Sequence, residues 1–356
     1  MKHAFLSFSH FLSPLKQTGR ISALLAIFLL ASCAGNPQQT QPESDSQITK
    51  DDRLRHIIDM QDRLDRVSGT LQVANADLCR NQVRNLLGFA ATNKHSYSPA
   101  MTATASQIFG MGEKLQVTHV IPGSGAQKAR LQLGDILLTI EGQPVPQGQT
   151  AETETVKMLS PIVSKNSSVK MTVKRNSAVH ELVIPLTRAC GFRVDLGHTD
   201  NVNAYSDGQR ILITRGMMDF AKNDSELAYV IAKEMAHNVL NHANTLQTAE
   251  TNRRIIDRLI QVTPKAAPPD RTTKPMTKQF DLDSDTLGLA MALRAGYEID
   301  SAVDFWTRFI QAFPASRVSS YTATHPNSRA RLEQMPKSVS RIKSAEKRKK
   351  SLPRGK

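Results

Sequence analysis

A carboxylate and an imidazole three residues apart, Glu234 and His237, are the strongest chemical signal in the sequence. On a helix, residues i and i+4 face the same way, so Lys233 and His237 share a face, with Glu234 next to Lys233. A neutral imidazole there can give a lone pair to a metal or carry a proton, and a carboxylate can take a proton from water. Lys233 changes this chemistry. Its ammonium has no lone pair, and deprotonating it at neutral pH costs about 4 kcal/mol for a reference pKa of ~10.4. A fixed cation is the other use for such a side chain. His242 adds an imidazole five residues beyond His237, but in a continuous helix that offset rotates it by about 140 degrees, which reads as packing or capping.

The elements that must carry these residues follow from apolar spacing. Leu227, Val230, Ile231, Met235, Val239 and Leu240 predict a helix from about Asp224, with Asn223 or Asp224 as its cap. Before it, Arg210 to Thr214 reads as a strand. After it come a helix from about Asn252 to Val262, a Pro-rich break over 264–270, and helices from about Lys278 to Ala295 and from beyond Ile299 to Phe313. A last short helix is expected near Ser328 to Gln334. Trp306, with Phe305 and Phe309, reads as core.

The stretch from Glu226 to His242 resembles the active helix of the prenyl-protease and HtpX-like gluzincins, peptidase family forty-eight, whose His-Glu-x-x-His motif holds zinc. The resemblance puts Glu234 at the catalytic glutamate, His237 at the second histidine ligand and Lys233 at the first. Asp281 stands where the family has its third ligand, a glutamate, with Asp285 as the supporting aspartate. His325-Pro326 and Arg331 match a further motif whose histidine acts on substrate or the tetrahedral intermediate. The implied set is therefore Glu234, His325 and Arg331 as catalytic, His237 and Asp281 as metal ligands, and Asp285 and His242 as support. The cofactor is zinc if that set assembles, and none if Lys233, paired with Asp281, takes the metal's place.

Leu115 to Val120, Gly134 to Ile140, and alternation at Val169, Met171, Val173, Leu182 and Ile184 predict a strand-rich unit, with helices near 126–131 and 152–159. Val120 to Val145 resembles bacterial PDZ domains, with Arg130 where the family has glycine and Gly125 where it often has proline. The resemblance implies capture of an extended chain at a sheet edge, with the groove at Phe109, Gly110, Gly112 and Leu115. The same module could instead only brace its neighbour.

The apolar run from Ile21 to Leu30 is too short to span a bilayer and has the length of a signal-peptide core. It ends in Leu30-Ala31-Ser32-Cys33, which looks like a lipobox, making Cys33 the expected lipidation site. Cys79 and Cys190 remain. In an oxidising compartment they pair as a disulfide, and the other reading is two buried thiols. Leu54, Ile57, Ile58, Leu64, Val67 and Leu71 predict an amphipathic helix to about Ala76. Of 46 basic and 32 acidic residues, nine Lys or Arg and one Glu fall in 337–356, so the positive excess is concentrated in the tail. No nucleic-acid module is legible, and nucleic acid is not an expected partner.

The expected fold class is α+β: a mainly helical zincin-like domain with a small sheet, preceded or interrupted by a β-rich PDZ-like domain. The expected organisation is a signal peptide (1–32), a tether (33–50), a helical segment packed on the peptidase domain (51–92), the PDZ-like domain (93–189), the peptidase-like domain (190–335) and a basic tail (336–356). Two functions follow. One is a lipid-anchored envelope protein, impaired in zinc hydrolysis, that binds polypeptides in protein quality control. The other is an active zinc endopeptidase acting on periplasmic or misassembled outer-membrane proteins. The expected location is the periplasmic face of the outer membrane.

Overall fold

The computed structural model describes residues 49–261, 274–314, 325–326 and 328–351. The expected signal peptide, Cys33, the Pro-rich break and the tether as far as residue 48 lie outside them, and the tether's last two residues, Thr49 and Lys50, belong to the start of a helix. Among the described residues, no helix is long and apolar enough to cross a membrane.

Helix α1 (Lys50–Ala74) starts at a Thr49 capping box with Asp52. Leu64, Val67 and Leu71 are fully buried in the larger core. Nearer its start, Leu54 and Ile58 pack with Ala105 and Met111 of the strand-rich unit. The helix ends where the Asn75 amide turns back to donate to Leu71 O (2.9 Å) and Met291 O (3.1 Å). The segment 51–92 is not helical throughout, because β1 (Val83–Leu86) and β2 (Phe89–Thr92) follow. Their short apolar runs pair with strands far along the chain, a signal absent from local periodicity.

After α2 (Thr102–Phe109) come β3 (Gln116–Val120), α3 (Gly125–Lys128), β4 (Ile136–Ile140), β5 (Gln143–Pro144), α4 (Ala151–Lys165), β6 (Ser168–Arg175) and β7 (Ala178–Pro185). The sheet runs β2-β3-β4-β6-β7, with β5 paired to β4. Its core holds Phe89, Ala91, Leu115, Val117, Leu137, Ile140, Leu159 and Val169. Both departures from the PDZ pattern have local causes. Arg130 takes the left-handed φ of 60° that glycine adopts more readily, with its carbonyl held by Arg175 Nη2 at 2.9 Å. A Cβ at Gly125 would stand 1.6 Å from Pro185 O, so no side chain fits there.

Strand β8 (Thr187–Cys190) pairs antiparallel with β1, and a Cys79–Cys190 disulfide ties the same junction. Its sequence separation is 111 residues. Closing a loop of about 100 residues restricts the unfolded chain by an amount worth about 5 kcal/mol.

The second unit has a three-stranded sheet, β10 (Ala204–Ser206), β11 (Arg210–Thr214) and β9 (Arg193–Gly197), in the order β10-β11-β9. Helices α5 (Arg215–Phe220), α6 (Asp224–Val239), α7 (His242–Thr245), α8 (Ala249–Leu259), α9 (Lys278–Arg294), α10 (Ala302–Ala312) and α11 (Ser328–Ser351) complete it. The last helix is not short, and most of the expected basic tail is helical. Met335, with Val339 and Ile342 packed against the core, continues an apolar stripe past Pro336.

Candidate active site and peptide edge

Helix α6 is capped by Asn223, whose side chain accepts from Glu226 N, and every residue from Glu226 to Asn238 is buried. A helix buried all round must cross its neighbours closely. Gly288 of α9 allows this, because a Cβ there would stand 2.9 Å from Lys233 N. The close crossing brings Lys233 of α6 against Asp281, Ser284 and Asp285 of α9.

Lys233 Nζ donates to Ser284 Oγ (2.8 Å) and Asp281 Oδ1 (3.2 Å), and lies 3.1 Å from Asp285 Oδ1. Three acceptors match the three protons of an ammonium. The side chain is 1% exposed. Arg331 closes the other side of Asp285 through Nε (2.6 Å) and Nη2 (2.9 Å), with its guanidinium 4.6 Å over the Trp306 ring. Burial alone would push the Asp281 carboxyl up, but the charges of Lys233, His325 and Arg331 outweigh it and hold it well below the usual carboxylate range. Asp285 is likewise held down against burial by Arg331 and Lys233.

Glu234, on the adjacent position of α6, accepts from Ser206 Oγ at 2.6 Å. His237 Nδ1 lies 2.9 Å from His242 Nδ1, and its Nε2 is buried without a hydrogen-bond partner among the described residues. Burial, then the nearby Lys233 charge, pushes His237 well below the usual imidazole range, and the same two causes bring His242 down to about 4. His325 Nδ1 lies 2.6 Å from Asp281 Oδ1, and its ring is 5.3 Å from that of His237.

The structure thus brings Lys233, Glu234, His237, His242, Asp281, Asp285, His325 and Arg331 into one buried cluster. Two expected roles change. Arg331 is committed to Asp285 and Trp306 and braces the helices rather than meeting substrate. His242 reaches His237 because the helix does not continue: Asn241 takes φ 59° and turns the chain back, so the continuous-helix rotation does not apply. Its ring stacks on Phe280 at 4.1 Å. Ser206, Ser284 and Phe280 carry no motif, and their roles come from tertiary placement alone.

The position-matched zinc set of Lys233, His237 and Asp281 does not fit a zinc ion. Lys233 offers no lone pair while protonated, and its ammonium occupies Asp281, which also bonds His325. One imidazole is left, short of the three protein ligands that a catalytic zinc takes.

The expected groove also moves. Phe109 ends α2, Gly110 caps it at φ 62°, and Leu115 is fully buried in the sheet's core. Gly112 has its carbonyl taken by Lys94 N at 3.2 Å. None of these is on an open edge. Among the described residues, β2 pairs only with β3 and β7 only with β6, so these two end the sheet, although Phe89, Ala90 and Ala91 of β2 are buried. Near the end of β2, Ser96 Oγ bonds Glu152 at the start of α4, and burial pushes the Glu152 carboxyl up to about 7.

Residues 164–339 match Peptidase family M48, and residues 85–174 match the PDZ domain family. The PDZ match begins before residue 93 and takes in β2. Among solved structures, the PDZ domain of HtrA3 bound to a phage-derived ligand is similar at 17% identity, over 30% of this chain and 88% of that one, with a TM-score of 0.22. No curated protein matches the chain.

Proposed function

From a chain that belongs to peptidase family M48 over residues 164–339 and carries a PDZ domain over residues 85–174, we propose a polypeptide-binding, hydrolysis-impaired lipoprotein of the bacterial cell envelope. The observation that carries this reading is the placement of Lys233 Nζ against Asp281, Asp285 and Ser284. An internal cation there balances the carboxylates that a divalent ion would otherwise balance, and the helix pair stays closed without one. The lipobox-like Leu30 to Cys33 supports a lipid anchor, and Ala34, which lacks the acidic character of an inner-membrane retention signal, supports the periplasmic face of the outer membrane.

Clients are held by backbone pairing. Phe89, Ala90 and Ala91 of β2 are at most 4% exposed, so a client adds to this edge as the packing over it opens, and backbone pairing then gives affinity with little demand on sequence. That suits capture of unfolded or misassembled envelope proteins in quality control.

The test is a pair of measurements on the purified chain with one unfolded protein as substrate. Binding without cleavage, unchanged by zinc or chelator, is the expected result. Cleavage that zinc supports and a chelator stops would restore the active-endopeptidase reading.

A further inference from the structure

The family's position-matched donors do not make a metal site, but a different set in the same cluster does. One donor atom each from Glu234, His237 and His325 lies within 4.8 Å of the others, and all three side chains are buried. We infer that these three residues form a displaced site for a borderline divalent cation such as zinc or cobalt, one carboxylate and two imidazoles, built on the general-base position rather than beside it.

Each donor is held from behind by a second residue, the arrangement that orients ligands in metal sites. Ser206 Oγ grips Glu234 Oε2 at 2.6 Å. Asp281 Oδ1 lies 2.6 Å from His325 Nδ1 and fixes the orientation of that ring. His242 Nδ1 lies 2.9 Å from His237 Nδ1, and the opposite nitrogen, His237 Nε2, is buried with no hydrogen-bond partner among the described residues. A polar atom left in that state is costly in a folded chain, and a cation satisfies it.

Lys233 and Arg331 are held by Asp281 and Asp285. Two nitrogens and one oxygen suit zinc or cobalt better than magnesium or calcium, which prefer oxygen throughout. An ion held here occupies Glu234 as a ligand and removes it as a proton acceptor, so occupancy does not restore hydrolysis. The inference is separate from polypeptide capture and goes beyond it.

The full chain, stripped with a chelator that is then removed, is titrated with cobalt and followed by its visible spectrum, with metal per chain counted after gel filtration. One equivalent is expected, and Glu234→Gln and His325→Gln should each weaken it at least about tenfold. X-ray absorption on the loaded wild-type chain should count two imidazoles, a readout that holds even if a variant fails to fold. The position-matched set would give one imidazole and tolerate Glu234→Gln. No uptake by a folded chain, one imidazole, or uptake indifferent to both substitutions overturns the site. Such a failure leaves the hydrolysis-impaired reading standing, whereas chelator-sensitive cleavage would sink both, because it needs Glu234 free to accept a proton.

Discussion

Lys233 Nζ and Asp281 Oδ1 stand 3.2 Å apart across the crossing of α6 and α9, both with side chains at or below 1% exposure. A buried pair of this kind adds little over a well-packed apolar pair, because both charges leave water. Removing one partner is another matter, since the other is stranded. Lys233→Met is therefore expected to destabilise the chain by about 3–5 kcal/mol, because Asp281 and Asp285 lose the cation between them. Adding Asp281→Asn should recover part of that loss. Urea unfolding of the two variants and wild type makes the comparison, and a Lys233→Met chain as stable as wild type would contradict the internal-cation role.

Much of this site was legible before any coordinates. The apolar spacing around α6 placed Lys233, Glu234 and His237 on one helix, and chemistry alone marked Lys233 as unable to ligate. The pairing of Lys233 with Asp281 was readable as a charge match between two motif positions. What stayed hidden depends on long-range contacts or on local backbone breaks. Ser206 reaches Glu234 from a strand 28 positions away. His242 reaches His237 only through the turn at Asn241, and periodicity cannot announce a left-handed residue. The edge strand β2 is four residues with no alternation, recognisable only once it pairs with β3.

Restoring the ligands should restore chemistry if Lys233 is what displaced the metal. Lys233→His with Asp281→Glu returns an imidazole one turn before His237 and gives back the methylene that the shorter acid lacks. The double variant is expected to gain chelator-sensitive cleavage of an unfolded protein, and adding Glu234→Gln should abolish it. Lys233→His alone should gain less, because Asp281 remains short. A folded, zinc-loaded double variant with no cleavage would show that the loss of activity lies beyond these two positions.

Glu152 gives a pH signature near the strand edge. Burial raises its folded pKa to about 7 from an ordinary value of 4.5. Below the ordinary value both states are protonated. Between the two, the unfolded chain has released the proton and the folded chain has not, so stability falls as pH rises and the loss is complete above about 7. Glu152→Gln stays neutral and keeps a partner for Ser96. Relative to wild type it should gain about 2 kcal/mol at pH 8 and almost nothing at pH 4.5, read by denaturant unfolding. A gap independent of pH would mean that the carboxyl is ionised in the folded chain.

Polypeptide capture should leave its mark on one strand. β2 and β7 are both edges, but they differ in surroundings: Phe89, Ala90 and Ala91 are buried, whereas Val179 and Val183 of β7 stand 62% and 58% exposed. At that burial, pairing with β2 needs the packing over it to open, and the hydrogen bonds then formed are sheltered from water, which strengthens each of them. Pairing with β7 would have to form in solvent. Hydrogen exchange followed by mass spectrometry is expected to show the 89–92 amides slowing when an unfolded protein binds, with 109–112 and 178–185 unchanged. Protection at 109–112 instead would return the groove to the site expected from sequence. Protection at 178–185 would move capture to the exposed hairpin and leave the PDZ-like unit as a brace.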